Sequence, residues 1–250
     1  MTSAPTKAEV KQANRQLYDT AAEKYEDIDG RRSPELRAWL SRTLTDLRAQ
    51  APGPVLLDVG AGSGLICREA RNIFEQRVAL DISPRILAAH RDNFELGAAA
   101  DVDALPIASG AADALVCFAV LHHLYDFQGL VREAARVLKP GGIFYSDHDM
   151  DSRFHARFAW PLAAYRRLRD AGSKYVGALP GLTRRVYELS EWQEDGVDAD
   201  SLAKMLTEAG FTVRLTRHWY GLLPVTDALF GFRSFAPGLA PLARLWAVRN

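Results

Sequence analysis

Residues 55–70 read VLLDVGAGSGLICREA, an apolar run that stops in three glycines at alternate positions, Gly60, Gly62 and Gly64. Glycine tolerates positive φ and leaves no Cβ where a ligand must approach the backbone. A buried strand that ends in such a turn and runs into a helix is a nucleotide- or nucleoside-binding element, with helix-start amides pointing at the ligand. Spacing narrows the ligand. Counted from Gly60, the last position of the dinucleotide fingerprint G-x-G-x-x-G/A falls on Leu65, so the pyrophosphate reading, and with it an NAD(P)-dependent oxidoreductase, is disfavoured.

Strand and helix signals alternate around this turn. Strands are expected at VLLDVG (55–60), RVALDIS (77–83), LGAAADVDALP (96–106), DALVCFAVLHHL (113–124) and GIFYSDHD (142–149). Helices are expected at LICREARNIF (65–74), SPRILAAHRDNFE (83–95) and FQGLVREAARV (127–137), the last stopped by Pro140 and Gly141. Continuously apolar strands separated by helices imply βαβ units and a parallel sheet covered on both faces. Later strands are expected at FTVRLTRHW (211–219) and ARLWAVRN (243–250). The fold class is therefore α/β, a doubly wound, mostly parallel seven-stranded sheet with N-terminal helices and a helical insertion after strand five. Four segments follow: a helical lid over 1–50, a ligand-binding core over 51–150, a helical substrate cap over 151–197, and a return to the core sheet over 198–250. Within the lid, Ser33 and Pro34 mark a helix start ahead of Leu36, Leu40, Leu44 and Leu47 at helical spacing.

Composition excludes several classes. Lys+Arg and Asp+Glu both total 31, which argues against a nucleic-acid binder. The start shows no signal-peptide pattern, and no apolar run reaches the roughly 20 residues of a membrane span. Cys67 and Cys117 have no Cys or His at metal-ligand spacing, so both are expected to be buried thiols in a reducing cytoplasm.

The glycine spacing after LLDV resembles the first motif of the class I S-adenosylmethionine-dependent methyltransferases, a Rossmann-like fold. The resemblance continues in order through VALDIS, ADVDALP, AADALVCFAVLHHL and REAARVLKPGG, and more weakly in YDTAAEKYED (18–27). It implies S-adenosylmethionine as cofactor and S-adenosylhomocysteine as product. It also implies a site: Gly60, Ala61 and Gly62 under the cofactor, Asp81 and Ile82 at the ribose, Asp101 and Val102 at the adenine with Asp103 as rival, and Phe118 on the exit of strand four. Asp58 inside its apolar strand is expected to orient the glycine loop or the cofactor's amino group, since an unpaired acid there is costly. Tyr18 and Tyr25, seven residues apart, are expected on one helical face, with Tyr25 closer to the methionine end. Gly62 is expected where a Cβ would meet the cofactor.

Methyl transfer to a good nucleophile needs in-line positioning first. If the acceptor must lose a proton, the candidate catalytic bases are His123 and His148. On strand periodicity His122 and His123 face opposite ways, and His123 is the one expected to point inward. Asp147, His148, Asp149 and Asp151 also form a set suited to a hard cation; they are read instead as loop acids near a helix start, and no metal is expected. LHHL resembles the branch that methylates small molecules, including lipid quinones and microbial secondary metabolites. The 152–187 stretch carries Arg153, Arg157, Arg166, Arg167, Arg169, Lys174, Arg184 and Arg185 against one acid, Asp170, with interleaved aromatics. Such a face suits an aromatic, acidic or phosphorylated acceptor, or a peripheral membrane contact; the alternative is a solvated face balanced by ELSEWQEDGVDAD (188–200). The apolar tail from Gly221 onward suits a greasy acceptor or a dimer contact, and a monomer and a homodimer are both open. The expected function is methyl transfer to O, N or C of a small molecule; the rival is a non-methylating S-adenosylmethionine-binding cyclase or scaffold.

Overall fold

The computed structural model describes residues 4–29, 33–168, 170–221 and 224–250, without the side chains of Asp29 and Leu168. Seven strands form one sheet: β1 (Val55–Val59), β2 (Gln76–Asp81), β3 (Leu96–Ala99), β4 (Ala112–Phe118), β5 (Leu138–Met150), β6 (Phe211–His218) and β7 (Leu242–Arg249). Their order is β3-β2-β1-β4-β5-β7-β6. All pairings are parallel except those of β7, which runs antiparallel to both β5 and β6. The winding reverses between β1 and β4, and open α/β sheets bind ligands at the C-terminal strand ends beside such a switch point.

The helices are α1 (Lys7–Ala21), α2 (Tyr25–Asp29), α3 (Pro34–Gln50), α4 (Leu65–Glu69), α5 (Pro84–Ala89), α6 (Gln128–Val137), α7 (Ser152–Arg157), α8 (Ala159–Leu168), α9 (Ala171–Ala178), α10 (Arg184–Ser190), α11 (Ala199–Glu208) and α12 (Pro224–Phe230). Local chemistry sets several starts. A reciprocal Thr6–Glu9 capping box opens α1, and Ser33 and Ser83, each followed by proline, cap α3 and α5. One core lies between the sheet and α6 and α11, around Leu130, Leu202 and Phe211. Another lies on the opposite face under α3 and α4, around Trp39, Leu44 and Tyr145. Both cysteines are free and buried. A third contact joins the N-terminal helices to the segment between α9 and α10: Leu17, Ala21 and Ile28 bury against Leu179 and Leu182.

Three expectations change. The helix through YDTAAEKYED breaks after Ala21, so Tyr18 and Tyr25 stand on different helices, yet their rings meet edge to face at 5.6 Å. β4 ends at Phe118 and Leu121–His123 is a 3₁₀ turn, so strand periodicity does not separate His122 from His123; their rings lie 3.9 Å apart. Pro140 and Gly141 do not form a stop after a helix but lie inside β5, which begins at Leu138.

Behind the switch point sits a buried charge hub. Asp147, fully buried on β5, accepts from His218 Nε2 at 2.8 Å, Tyr145 Oη at 2.7 Å and Arg244 Nε at 2.9 Å. Burial alone would raise its pKa, but His218 and His148 hold it well below the ordinary carboxylate value. His218 Nδ1 accepts from the Tyr220 amide at 3.1 Å, which leaves Nε2 as the protonated nitrogen facing Asp147. These bonds fasten β7 and the end of β6 to β5. Removing one member strands the others in a dry interior. Asp147→Ala should therefore cost about 3–5 kcal/mol of stability; urea unfolding at pH 7 checks this, and a loss below about 1 kcal/mol would show that the hub does not hold the sheet.

Candidate functional site

One cavity lies at the C-terminal ends of β1, β2 and β4 and is roofed by α1 and α2. Gly60, Gly62 and Gly64 have φ of 73°, 52° and 75°, all in the left-handed region that favours glycine. A Cβ on Gly60 would come within 2.5 Å of Val120. A Cβ on Gly62 would lie 3.4 Å from the Tyr25 ring, an ordinary contact, so on the protein side it is the positive φ that favours glycine there.

The turn is held by Asp81. Its carboxylate accepts from the Gly62 amide and from the Ser83 amide, each at 2.8 Å. It is 6% exposed, and burial raises its pKa to about 6 despite those bonds. Asp58, 2% exposed, accepts from the Cys67 amide at 3.3 Å, and burial raises its pKa to about 7. Two acids with raised pKa at the floor of a cavity suit a ligand that brings positive charge, because that charge would favour both ionised forms.

The structure brings Tyr25, Asp58, Gly60, Ala61, Gly62, Asp81, Ile82, Asp101, Val102 and Phe118 to this one cavity, together with His123. His148 does not line it. It sits behind Phe118, ring centroids 4.4 Å apart, under Trp39 at 4.8 Å, with positive φ of 67° and Nδ1 3.1 Å from Asp147. The cation set also separates: Asp147 faces His218, Asp149 accepts from His122 Nδ1 at 2.6 Å, and Asp151 pairs with Arg217 at 2.7 Å.

His123 is the imidazole at the cavity wall. Its Nδ1 lies 2.8 Å from the Ser190 carbonyl, so that nitrogen carries the proton; Nε2 then accepts from the Tyr18 hydroxyl at 2.6 Å. Burial, reinforced by His122, lowers its pKa to about 4, and burial raises that of Tyr18 well above the ordinary phenol value. At neutral pH the pair is an uncharged donor–acceptor unit. His122, His123 and Glu191 are the one His/carboxylate group close enough to share an ion among the described residues, but both nitrogens of His123 are already engaged.

Several lining residues escape a motif search. Lys7, Lys11, Asn14 and Tyr18 line the cavity from α1. Their spacing of four, three and four is a single helical face, and that is the signal that could have found them. Asn14 donates to the His123 carbonyl at 3.0 Å. Lys11 reaches Asp101 at 2.6 Å and Asp103 at 2.5 Å, and Lys7 reaches Asp103 at 2.6 Å and Asp126 at 3.1 Å. The basic stretch of the cap lines the cavity nowhere among the described residues. Arg166 pairs with Asp195 at 3.0 Å, Arg184 with Asp170 at 2.9 Å and Arg153 with Asp200 at 2.7 Å. Arg169 lies outside the described residues. No helix among those described is long and apolar enough to cross a membrane.

The raised pKa of Asp58 has a stability consequence. The folded protein favours the protonated acid, so this contribution is fully present below the unfolded value near 4 and is lost as pH rises through about 7. Asp58→Asn should remove that loss, so the variant should gain stability relative to the parent between pH 4 and 8 in the absence of ligand. Urea midpoints across that range give the test; parallel curves would mean that Asp58 is ionised throughout.

Comparison with known proteins agrees with this geometry. Residues 57–146 match the family model described as a methyltransferase domain. The chain is 30% identical over 203 residues to a demethylmenaquinone methyltransferase of Tropheryma whipplei, covering 79% of this chain and 82% of that protein. It is 28% identical over 209 residues to a ubiquinone biosynthesis O-methyltransferase of Xanthomonas axonopodis pv. citri, covering 76% and 82%. Among solved structures, the magnesium protoporphyrin IX methyltransferase of Synechocystis with bound S-adenosylhomocysteine superposes with a TM-score of 0.58 at 15% identity, over 96% of this chain and 100% of that one.

Proposed function

Starting from the class I S-adenosylmethionine-dependent methyltransferases, to which this chain belongs, we propose that it methylates an apolar, aromatic small molecule at a hydroxyl oxygen or at a ring carbon activated by one. The observation that carries this reading is the neutral Tyr18–His123 unit at the cavity wall, beside Phe118 and Tyr25. Two relatives, one named for demethylmenaquinone and one for ubiquinone biosynthesis, support the substrate class.

The residues present fit the cofactor. The bare turn at Gly60 and Gly62 admits close backbone approach, Asp81 and Asp101 offer carboxylates for hydroxyl and amino groups, and the acids lining the cavity outnumber its cations. Bound there, S-adenosylmethionine supplies an electrophilic methyl group on a sulfonium. The chain supplies the rest. Asp81 fixes the glycine turn, and the aromatic wall orients a flat acceptor and excludes water. Tyr18 takes the acceptor's hydroxyl proton while passing its own to Nε2 of His123, which Ser190 holds in the accepting tautomer. His148 works one layer back, as a support for Phe118. The closed lid must open for exchange, because α1 and α2 roof the cavity.

Assay with a labelled methyl donor and a panel of hydroxylated quinols and phenols tests the proposal. His123→Ala and Tyr18→Phe should each lower kcat by about 10²-fold or more, the range of acid–base contributions, with S-adenosylhomocysteine affinity unchanged. Because the pKa of His123 is lowered to about 4, kcat with cofactor and acceptor both saturating should stay flat from pH 8 down to about 5. A rate lost between pH 7 and 6 would point to another base, and undiminished kcat in both variants would make the site a positioning catalyst.

A further inference from the structure

Two apolar segments carry large side chains that the fold leaves in solvent. Helix α8 begins AWPLAAY, and none of its described residues is buried. A surface helix this apolar ordinarily hides a stripe against the core. Here, among the described side chains, only Leu162 and Arg166, four apart, are half-buried, and Arg166 pairs with Asp195 at 3.0 Å. Trp160, Ala163, Ala164 and Arg167 are exposed on the other side of the helix, Trp160 at 87%. The second segment is 224–239, after β6. Its one acid, Asp227, is taken up by the Gly221 amide at 2.8 Å. Val225 and Leu229, four apart on α12, are 59% and 64% exposed. A layer of rings joins the two segments. Phe158, just ahead of α8, Phe154, Trp219, Phe230 and Phe235 follow one another with centroids 4.7, 5.3, 5.7 and 5.4 Å apart. Gly238 closes on α7, where an added Cβ would lie 3.7 Å from Cδ of Arg157.

Cations flank these apolar side chains. Arg153, Arg166 and Arg184 of the basic stretch are held by acids, whereas Arg157 and Arg167 have no acid partner among the described residues. Arg157 lies 6.0 Å over Phe158, and Arg42 lies 4.8 Å over the exposed Phe232. Contiguous exposed apolar surface of this kind marks an interaction site. We propose that α8 and the 224–239 segment together dock on an anionic lipid bilayer: Trp160, Val225 and Leu229 enter the boundary between headgroups and acyl chains, and Arg157 and Arg167 meet lipid phosphates. Charge complementarity selects this occupant. Apolar side chains, an exposed tryptophan and arginines without acid partners match the surface of a membrane that carries negative charge. A second copy in a two-fold contact would set these arginines near their own equivalents. The segments lie on the bilayer and do not cross it, since no described helix is long and apolar enough. None of these side chains lines the cavity, so the inference rests on exposed surface and not on the acceptor or the cofactor. Docking would bring the enzyme to an apolar acceptor where such a molecule dissolves.

Co-sedimentation of the full chain with lipid vesicles tests the proposal. At low salt the parent should bind vesicles of phosphatidylcholine and phosphatidylglycerol in equal parts at least about tenfold more tightly than vesicles of phosphatidylcholine alone. That preference should shrink as salt is added. Replacing Trp160, Val225 and Leu229 together by serine should weaken binding to the mixed vesicles at least about tenfold. All three are more than half exposed, so circular dichroism and S-adenosylhomocysteine affinity should match the parent. Arg157→Gln combined with Arg167→Gln should lose about tenfold on the mixed vesicles and less than about twofold on phosphatidylcholine. A second measurement keeps the apolar surface intact: brominated phosphatidylglycerol should quench the tryptophan fluorescence of the parent and quench Trp160→Phe much less. Binding to neither vesicle, equal binding to both, a serine variant that binds as the parent does, or equal quenching of the parent and Trp160→Phe overturns the proposal. A parent that sediments as a dimer without binding vesicles, and a serine variant that sediments as a monomer, would give this surface to a second copy and overturn it as well.

Discussion

The site depends on one buried carboxylate. Asp81 stands at the last position of β2 and accepts amides from Gly62, beyond β1, and from Ser83, at the start of α5. Two chain segments that share no sequence neighbourhood are thereby fixed to a single pair of oxygens. Three successive left-handed glycines would otherwise be the most mobile stretch of the core, since glycine has the largest conformational entropy to lose. With the amides held, the turn becomes a rigid floor, and the cavity has a defined bottom before any ligand arrives.

Electrostatics then grade the cavity from end to end. At the β3 end, three aspartates are met by two lysines of α1, so that helix is clasped to the core by ion pairs. At the floor, Asp58 and Asp81 are buried without cations, and desolvation raises both pKa values. At the far wall, Tyr18 and His123 are neutral. A cationic ligand is favoured in the middle, where no cation among the described residues pairs with the acids. Partly exposed ion pairs contribute little stability each, so the clasp is suited to opening.

The hub at Asp147 serves a different purpose. It joins β5, β6 and β7 behind Phe118 and sets the aromatic wall from the rear, through His148 and Trp39. Charge in the core here specifies how the antiparallel strand docks. The acids of DHDMD are thus spent on three separate structural contacts and not on one ion.

What the sequence determined was everything that local chemistry writes down. The glycine spacing, the apolar strands and the Ser-Pro helix starts are short-range signals, and they carry the doubly wound sheet, the cofactor family and the acids at Asp58, Asp81 and Asp101. What only the tertiary structure decided involves elements far apart in the chain. Strand periodicity cannot report that β4 gives way to a 3₁₀ turn at Leu121, so the facing of His122 and His123 depended on a change of backbone geometry. Sequence spacing puts Tyr18 and Tyr25 on one helix, whereas the helix ends at Ala21 and a new one starts at Tyr25, Ala21 and Ile28 pack against Leu179 and Leu182, and the two rings still meet. His148 was reached by its position beside a strand end, but its side chain is turned by a positive φ to the back of the wall. The basic stretch of the cap is open in sequence to two readings, a ligand face or a solvated face balanced by the acidic run 188–200, and the fold decides between them by pairing several of its arginines with acids some 14 to 47 residues away. Pairing of charges across such distances is a property of the fold, because it is the sheet and not the local chain that sets which side chains meet.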